Sequence, residues 1–157
     1  VDAAKSVNIG CVRMSERHLF KSPLSQAAID GAIRDIDEAI DLANLSVPIQ
    51  RARTLIAVAG TATTVAAASL ELSNYDRYSI HLSRISAKRA HEISQMFLNS
   101  TRDEIAALGY MHPGRVDVIA AGALIIDRIL SKCGASEFVA SESDILDGIA
   151  WSIANEK

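Results

Sequence analysis

Two rhythms of apolar and polar positions run through this chain. In "KSPLSQAAIDGAIRDIDEAIDLANL", Ala28, Ile29, Ala32, Ile33, Ile36, Ala39, Ile40 and Ala43 recur at three- and four-residue spacing, the signature of one buried helix face. The spacing predicts one continuous helix over 27–45, with Ser22 as its cap just ahead of Pro23 and Pro48 closing the segment. Asp35, Asp37, Glu38 and Asp41 fall mostly off the apolar face and read as its solvated side. The second rhythm is the unbroken apolar run over 54–59, which predicts a central buried strand with the long helix packed on it.

Shorter signals fill in the rest. Ser6 to Ile9 alternates and is closed by Gly10, so it reads as a strand, while "CVRMSERHLF" fits either a helix or a polar-faced strand. Tyr78 to Leu82 has the pattern of a short strand. "SAKRAHEISQMFLNS" is helical with Ser86 as cap, and Thr101 with Glu104 three residues on forms a capping box. "GYMHPGR" is a loop by its Gly and Pro content. "VDVIAAGALIIDRILSKCG" is a buried helix stopped by Gly134. "EFVAS" is a strand, and "SDILDGIAWSIANEK" is a closing helix capped by Ser143 or Asp144. Strands interleaved with helices in this order indicate an α/β fold, a small mixed sheet covered by helices.

Composition narrows the class. At 157 residues the chain fits one domain, and 49% hydrophobic with 22% charged residues is ordinary for a globular protein. A net charge of -3 supplies no basic field for nucleic acid. The apolar runs fall short of the roughly 20 residues of a membrane span. Cys11 and Cys133 show no paired spacing and no leader precedes them, which points to reduced thiols and a cytoplasmic location. His18, His81, His91 and His112 lack HxxxH or HExxH spacing, so no metal site is expected from them.

The chemistry concentrates in "LIAVAGTATTVAAASL". A strand runs into Gly60 and then into Thr61, Thr63 and Thr64 at the start of a helix. Free N–H groups at a helix start attract anions, a glycine admits a phosphate close to the backbone, and hydroxyls can donate to its oxygens. The same string also serves as a plain helix cap, and no GK[ST] or GxGxxG follows. Arg115, one residue past a Pro-Gly turn, has two readings as well. It can cap the carbonyls of another helix, or it can grip phosphate oxygens as a fork. His112 can reach an anion from the same turn. Arg77, Arg84, Lys88 and Arg89 make a mildly basic stretch, either a polyanion track or ordinary charged surface.

"VNIGCVRMSERHL", "VAGTATTVAA", "HPGRVDVIAAGALII" and "SDILDGIAWSIA" occur in that order over nearly the whole chain. Together they resemble the Ppx/GppA family of exopolyphosphatases and guanosine pentaphosphate phosphatases. The resemblance implies a single lobe of the actin-like, ribonuclease H-like superfold, with residues 1–157 as the C-terminal lobe. A first lobe carrying the water-activating carboxylate and most of the Mg²⁺ ligands is implied to precede it. The implied substrates are inorganic polyphosphate or guanosine pentaphosphate. Gly60, Thr61, Ala62, Thr63 and Thr64 would form this lobe's share of the cleft, with Arg115 facing it. No residue of this chain is assigned to catalysis. Many members carry a second glycine where this chain has Ala59. The lobe alone is expected to fold without turning over substrate. The alternative is a non-catalytic nucleotide- or polyanion-binding module, or a homodimerisation module.

Overall fold

Helix starts in this protein are fixed largely by hydroxyl and carboxylate side chains, and the computed structural model describes them for residues 1–20 and 23–155. The undecided segment is helix α1 (Cys11–His18), which buries Met14. Helix α2 (Gln26–Asn44) is continuous, and Ser25 accepts the Ala28 amide at its start. Ser22, the expected cap, lies outside the described residues. Ala32, Ile36 and Ile40 of α2 pack with Met14, Leu19, Leu98, Ala121 and Leu124 in one core cluster. The carboxylates of α2 are less free than a solvated face implies. Asp35 meets Arg17 and His18, and Asp41 meets Lys132.

Strand β1 (Ile56–Val58) leads into α3 (Ala59–Ser69). The short α4 (Arg77–Ile80), strand β2 (Arg84–Ser86) and α5 (Ala87–Asn99) follow. Then come α6 (Arg102–Ala106), α7 (Ile119–Cys133), β3 (Glu137–Ser141) and α8 (Ile145–Asn155). Ser86 caps α5, Thr101 and Glu104 form a reciprocal capping box on α6, and Gly134 ends α7 at φ 69°. The expected strand at Ser6 to Ile9 is absent. The one expected over 78–82 is largely α4, because the Asp76 carboxylate takes the Tyr78 amide and the Ser79 hydroxyl and starts a helical turn.

The sheet runs in the order β1-β3-β2. β1 lies parallel to β3, with Ile56 opposite Val139 and Val58 opposite Ser141, while β2 is antiparallel to β3. The expectation of a central, buried strand at 54–59 therefore fails. β3 is central, with Phe138 and Ala140 fully buried, whereas Ile56 is 59% and Val58 51% exposed. An edge strand keeps the two-residue alternation: Leu55 and Ala57 pack against the core, and Ile56 and Val58 face away. A continuous apolar run looks the same whether one or both of its faces are covered.

Helix α7 joins the two core clusters. Ile119 and Ala123 pack with α3, α5 and β3, while Ala121 and Leu124 pack with α1 and α2. At Gly122 a Cβ would come 2.6 Å from the Thr61 methyl, so the close approach of α3 and α7 requires glycine there. Helix α8 buries none of its residues, leaving Ile145, Leu146, Trp151 and Ile153 exposed. Among the described residues no helix is long and apolar enough to cross a membrane.

Candidate anion site

The parallel strands β1 and β3 end side by side, so the turns after Val58 and Ser141 share one edge of the sheet. Such carboxyl edges are where open α/β sheets hold ligands. Ala59 turns the chain at φ 67°, a left-handed conformation that costs a non-glycine residue about 1–2 kcal/mol. Helix α3 then begins with no side chain capping its free amides.

Arg115 comes to this turn from 51 residues further along the chain. It closes a short 3-10 turn, Pro113–Arg115, whose first amide bonds His112 Nδ1 at 3.1 Å. Its guanidinium lies flat against Gly60, where an added Cβ would fall 2.4 Å from Cζ. Glycine at 60 is therefore required by close approach rather than by backbone angle. Nη1 of Arg115 donates to Thr64 Oγ1 at 3.0 Å, and that hydroxyl donates to the Gly60 carbonyl at 2.7 Å. Thr63 donates to the same carbonyl at 3.3 Å. Thr63 and Thr64 are buried, at 3% and 0% exposure, with their hydroxyl protons engaged inside the helix's first turn. Thr61 is half-buried against Gly122. Gly60, Thr63, Thr64 and Arg115 thus form one cluster, while the Thr61 side chain serves the α3–α7 contact. Arg115 itself is half-buried and makes no ion pair among the described residues, leaving most of its five donors for an outside acceptor.

Two further residues stand at this edge. Tyr75 Oη donates to Glu142 Oε1 at 2.5 Å, and the Glu142 amide donates to His81 Nδ1 at 3.2 Å. Burial, and then the Glu142 carboxylate, push the Tyr75 phenol above its ordinary pKa, while Thr63 and Arg115 pull it partly back. Neither Tyr75 nor Glu142 carries a motif. The one usable signal was positional, since Glu142 is the first residue past the strand that pairs with β1.

The Ppx/GppA phosphatase family model matches residues 1–156. The chain belongs to that family. It is 40% identical over 98% of its length to exopolyphosphatase 2 of Mycobacterium tuberculosis, of which the match covers 50%. The crystal structure of an exopolyphosphatase-like protein superposes with a TM-score of 0.94 at 40% identity, covering 98% of this chain and 51% of that one. The Aquifex aeolicus Ppx/GppA family member gives a TM-score of 0.83 at 18% identity, over 98% of this chain and 50% of that one. The Ppx/GppA chain thus spans about half the length of the relatives it matches, and its fold is a single lobe of the actin-like superfold.

Elsewhere in this Ppx/GppA lobe the candidate groups serve local structure. Asp144 takes the Leu146 amide and Asp147 takes the Asp144 amide, capping α8. Cys133 Sγ lies against the Leu130 carbonyl. In the basic stretch, Arg84 pairs with Glu137, Lys88 with Glu92, and Arg89 with Glu71 and Glu92, so a polyanion would have to displace carboxylates there. A cavity of about 640 Å³ is lined by Arg51, Arg53, Arg84, Glu137 and Cys133, with none of Gly60, Thr64 or Arg115 in its wall. The chemistry favours the half-buried Gly60–Arg115 cluster over that cavity, because Arg84 is already paired with Glu137 and the other two arginines, Arg51 and Arg53, are exposed. Among the described residues no three His, Cys, Asp or Glu side chains stand where they would hold a metal ion.

Proposed function

We propose that this chain is the C-terminal lobe of a phosphohydrolase that removes terminal phosphate from inorganic polyphosphate or guanosine pentaphosphate. In this reading the turn Gly60–Thr64 and Arg115 form one wall of the phosphate cleft. The observation that carries it is a half-buried arginine with no carboxylate, seated on a glycine at an uncapped helix start. Partly desolvated cations are usually paired, and here the partner would be the ligand.

The lobe's own work is binding and orientation. The free amides at the start of α3 take phosphate oxygens, and the Arg115 fork neutralises charge from the side. Thr64 acts through Arg115, since it contacts Nη1 and is itself buried. Mg²⁺, implied by the family resemblance, supplies charge neutralisation when bound, and its ligands would come from outside the described residues. The water-activating carboxylate is likewise assigned to the other lobe.

On this basis the chain alone folds but does not turn over polyphosphate. The test is phosphate release from polyphosphate with Mg²⁺, with the exopolyphosphatase 2 relative assayed in parallel. Turnover by the chain alone in the usual enzyme range of about 1–10³ s⁻¹ contradicts the assignment. The exposed apolar residues of α8 favour a second reading, a non-catalytic module that dimerises. Light scattering separates the two, since a stable dimer that binds no phosphate favours the second.

A further inference from the structure

We propose that Tyr75 contacts the ligand of the Arg115 site and that Glu142 positions it, an inference that rests on the reading of this turn as a phosphate-binding wall. Tyr75 lies in the connection over 70–76, and its hydroxyl has two oppositely charged neighbours: the Glu142 carboxylate, which it meets at 2.5 Å, and the Arg115 side chain. A phenol has a single proton to give. With no anion at Arg115, that proton goes to Glu142. A phosphate oxygen held by Arg115 offers a second, fully charged acceptor.

Exchanging one acceptor for the other needs only rotation of the O–H group, with no movement of the backbone. The carboxylate then plays two parts. It orients the phenol toward the site before binding, and it opposes the incoming negative charge afterwards, which limits affinity and favours release. Tyr75 is 40% exposed and is not part of either core cluster, so its hydroxyl is poorly placed for a purely structural task. Glu142 is half-buried, and its backbone is held through His81.

The test is titration of the chain with inorganic triphosphate, followed at the amide signals of Gly60 to Thr64 by ¹H–¹⁵N NMR. Tyr75→Phe keeps the ring and loses one hydrogen bond to a charged group, so binding should weaken roughly tenfold. Glu142→Gln keeps an acceptor for the phenol and removes a like charge, so binding should tighten several-fold, an effect that shrinks in high salt. A merely structural role for the pair predicts weakening in both variants. Wild-type affinity in Tyr75→Phe, or weaker binding in Glu142→Gln, overturns the inference. Arg115→Ala distinguishes the two levels. If it weakens binding while Tyr75→Phe keeps wild-type affinity, only this inference fails. If neither substitution changes binding, or if triphosphate leaves the Gly60–Thr64 amides of the wild type unmoved, the phosphate wall itself is wrong.

Discussion

Two half-buried arginines of this lobe have opposite surroundings. Arg128 on α7 grips Asp37 on α2 through two bonds, Nε to Oδ1 at 2.8 Å and Nη2 to Oδ2 at 2.7 Å. That pairing, above all its hydrogen bonds, holds the Arg128 pKa above its ordinary value. Arg115 bonds one threonine hydroxyl and lies on a bare glycine. Arg128 is therefore a closed contact, with donor fork and carboxylate matched inside the chain. Arg115 is an open one, bonded to a threonine hydroxyl and beside the Tyr75 phenol, with no carboxylate claiming its fork. A fixed but unsatisfied fork is suited to a ligand, whereas a satisfied fork is suited to joining helices.

The largest effect is expected on the closed side. Asp37→Ala strands Arg128 between α2 and α7 and should cost about 1.5–3 kcal/mol, or roughly 3–12 °C of melting temperature. Anion binding at Gly60 to Thr64 should be unchanged, and calorimetry with a triphosphate titration checks both halves. The open side should respond the other way to Gly60→Ala. The new Cβ collides with the guanidinium, the movable end of a long side chain, and Gly60 has no left-handed angle to lose. Stability should hold or rise by up to about 1 kcal/mol from better helix propensity, while triphosphate affinity falls roughly tenfold as Arg115 is pushed off its seat. A loss of stability with binding intact would show that Gly60 serves packing alone.

A smaller gain is expected from Ala59→Gly. Releasing the left-handed alanine recovers about 1–2 kcal/mol, less about 0.5–1 kcal/mol for glycine's extra freedom when unfolded. The net should appear as a rise of a few degrees in thermal melting, and a fall would mean the turn is unstrained. The smallest effect is expected at the α1–α2 contact. There His18 first, and then Arg17, hold the Asp35 pKa below its ordinary 3.8. A depressed carboxylate stabilises the fold above its unfolded pKa, and the contribution is lost as pH falls through the folded value. Melting curves of wild type and Asp35→Asn should therefore differ slightly above pH 4 and converge below it. An equal difference at every pH would mean that the ion pair contributes nothing.

Much of this fold was legible from local signals. The caps at Ser86 and Thr101, the stop at Gly134 and the long α2 periodicity each report physics within a few residues. Strand order was not legible, because β1 becomes an edge only through its pairing with the distant β3. The α4 turn was missed because the Asp76 side chain outweighed the strand-like pattern that follows it. At the site, Gly60 and Arg115 stood out one at a time. Their stacking, and the Tyr75–Glu142 bond, are long-range contacts with no trace in spacing. Residue type alone marks the threonine hydroxyls as possible phosphate donors, but β-branched side chains in a first helical turn readily bond a carbonyl three or four residues back, as Thr63 and Thr64 do with Gly60.

The central claim is that Arg115 is held open for an anion. The most direct measurement is triphosphate affinity per folded molecule for Arg115→Ala, taken beside its melting temperature. The account predicts a loss of about 1.5–3 kcal/mol in binding, roughly ten- to a hundredfold, with melting nearly unchanged. A variant that melts well below wild type yet binds triphosphate normally in its folded fraction would make Arg115 a structural clamp and contradict the account.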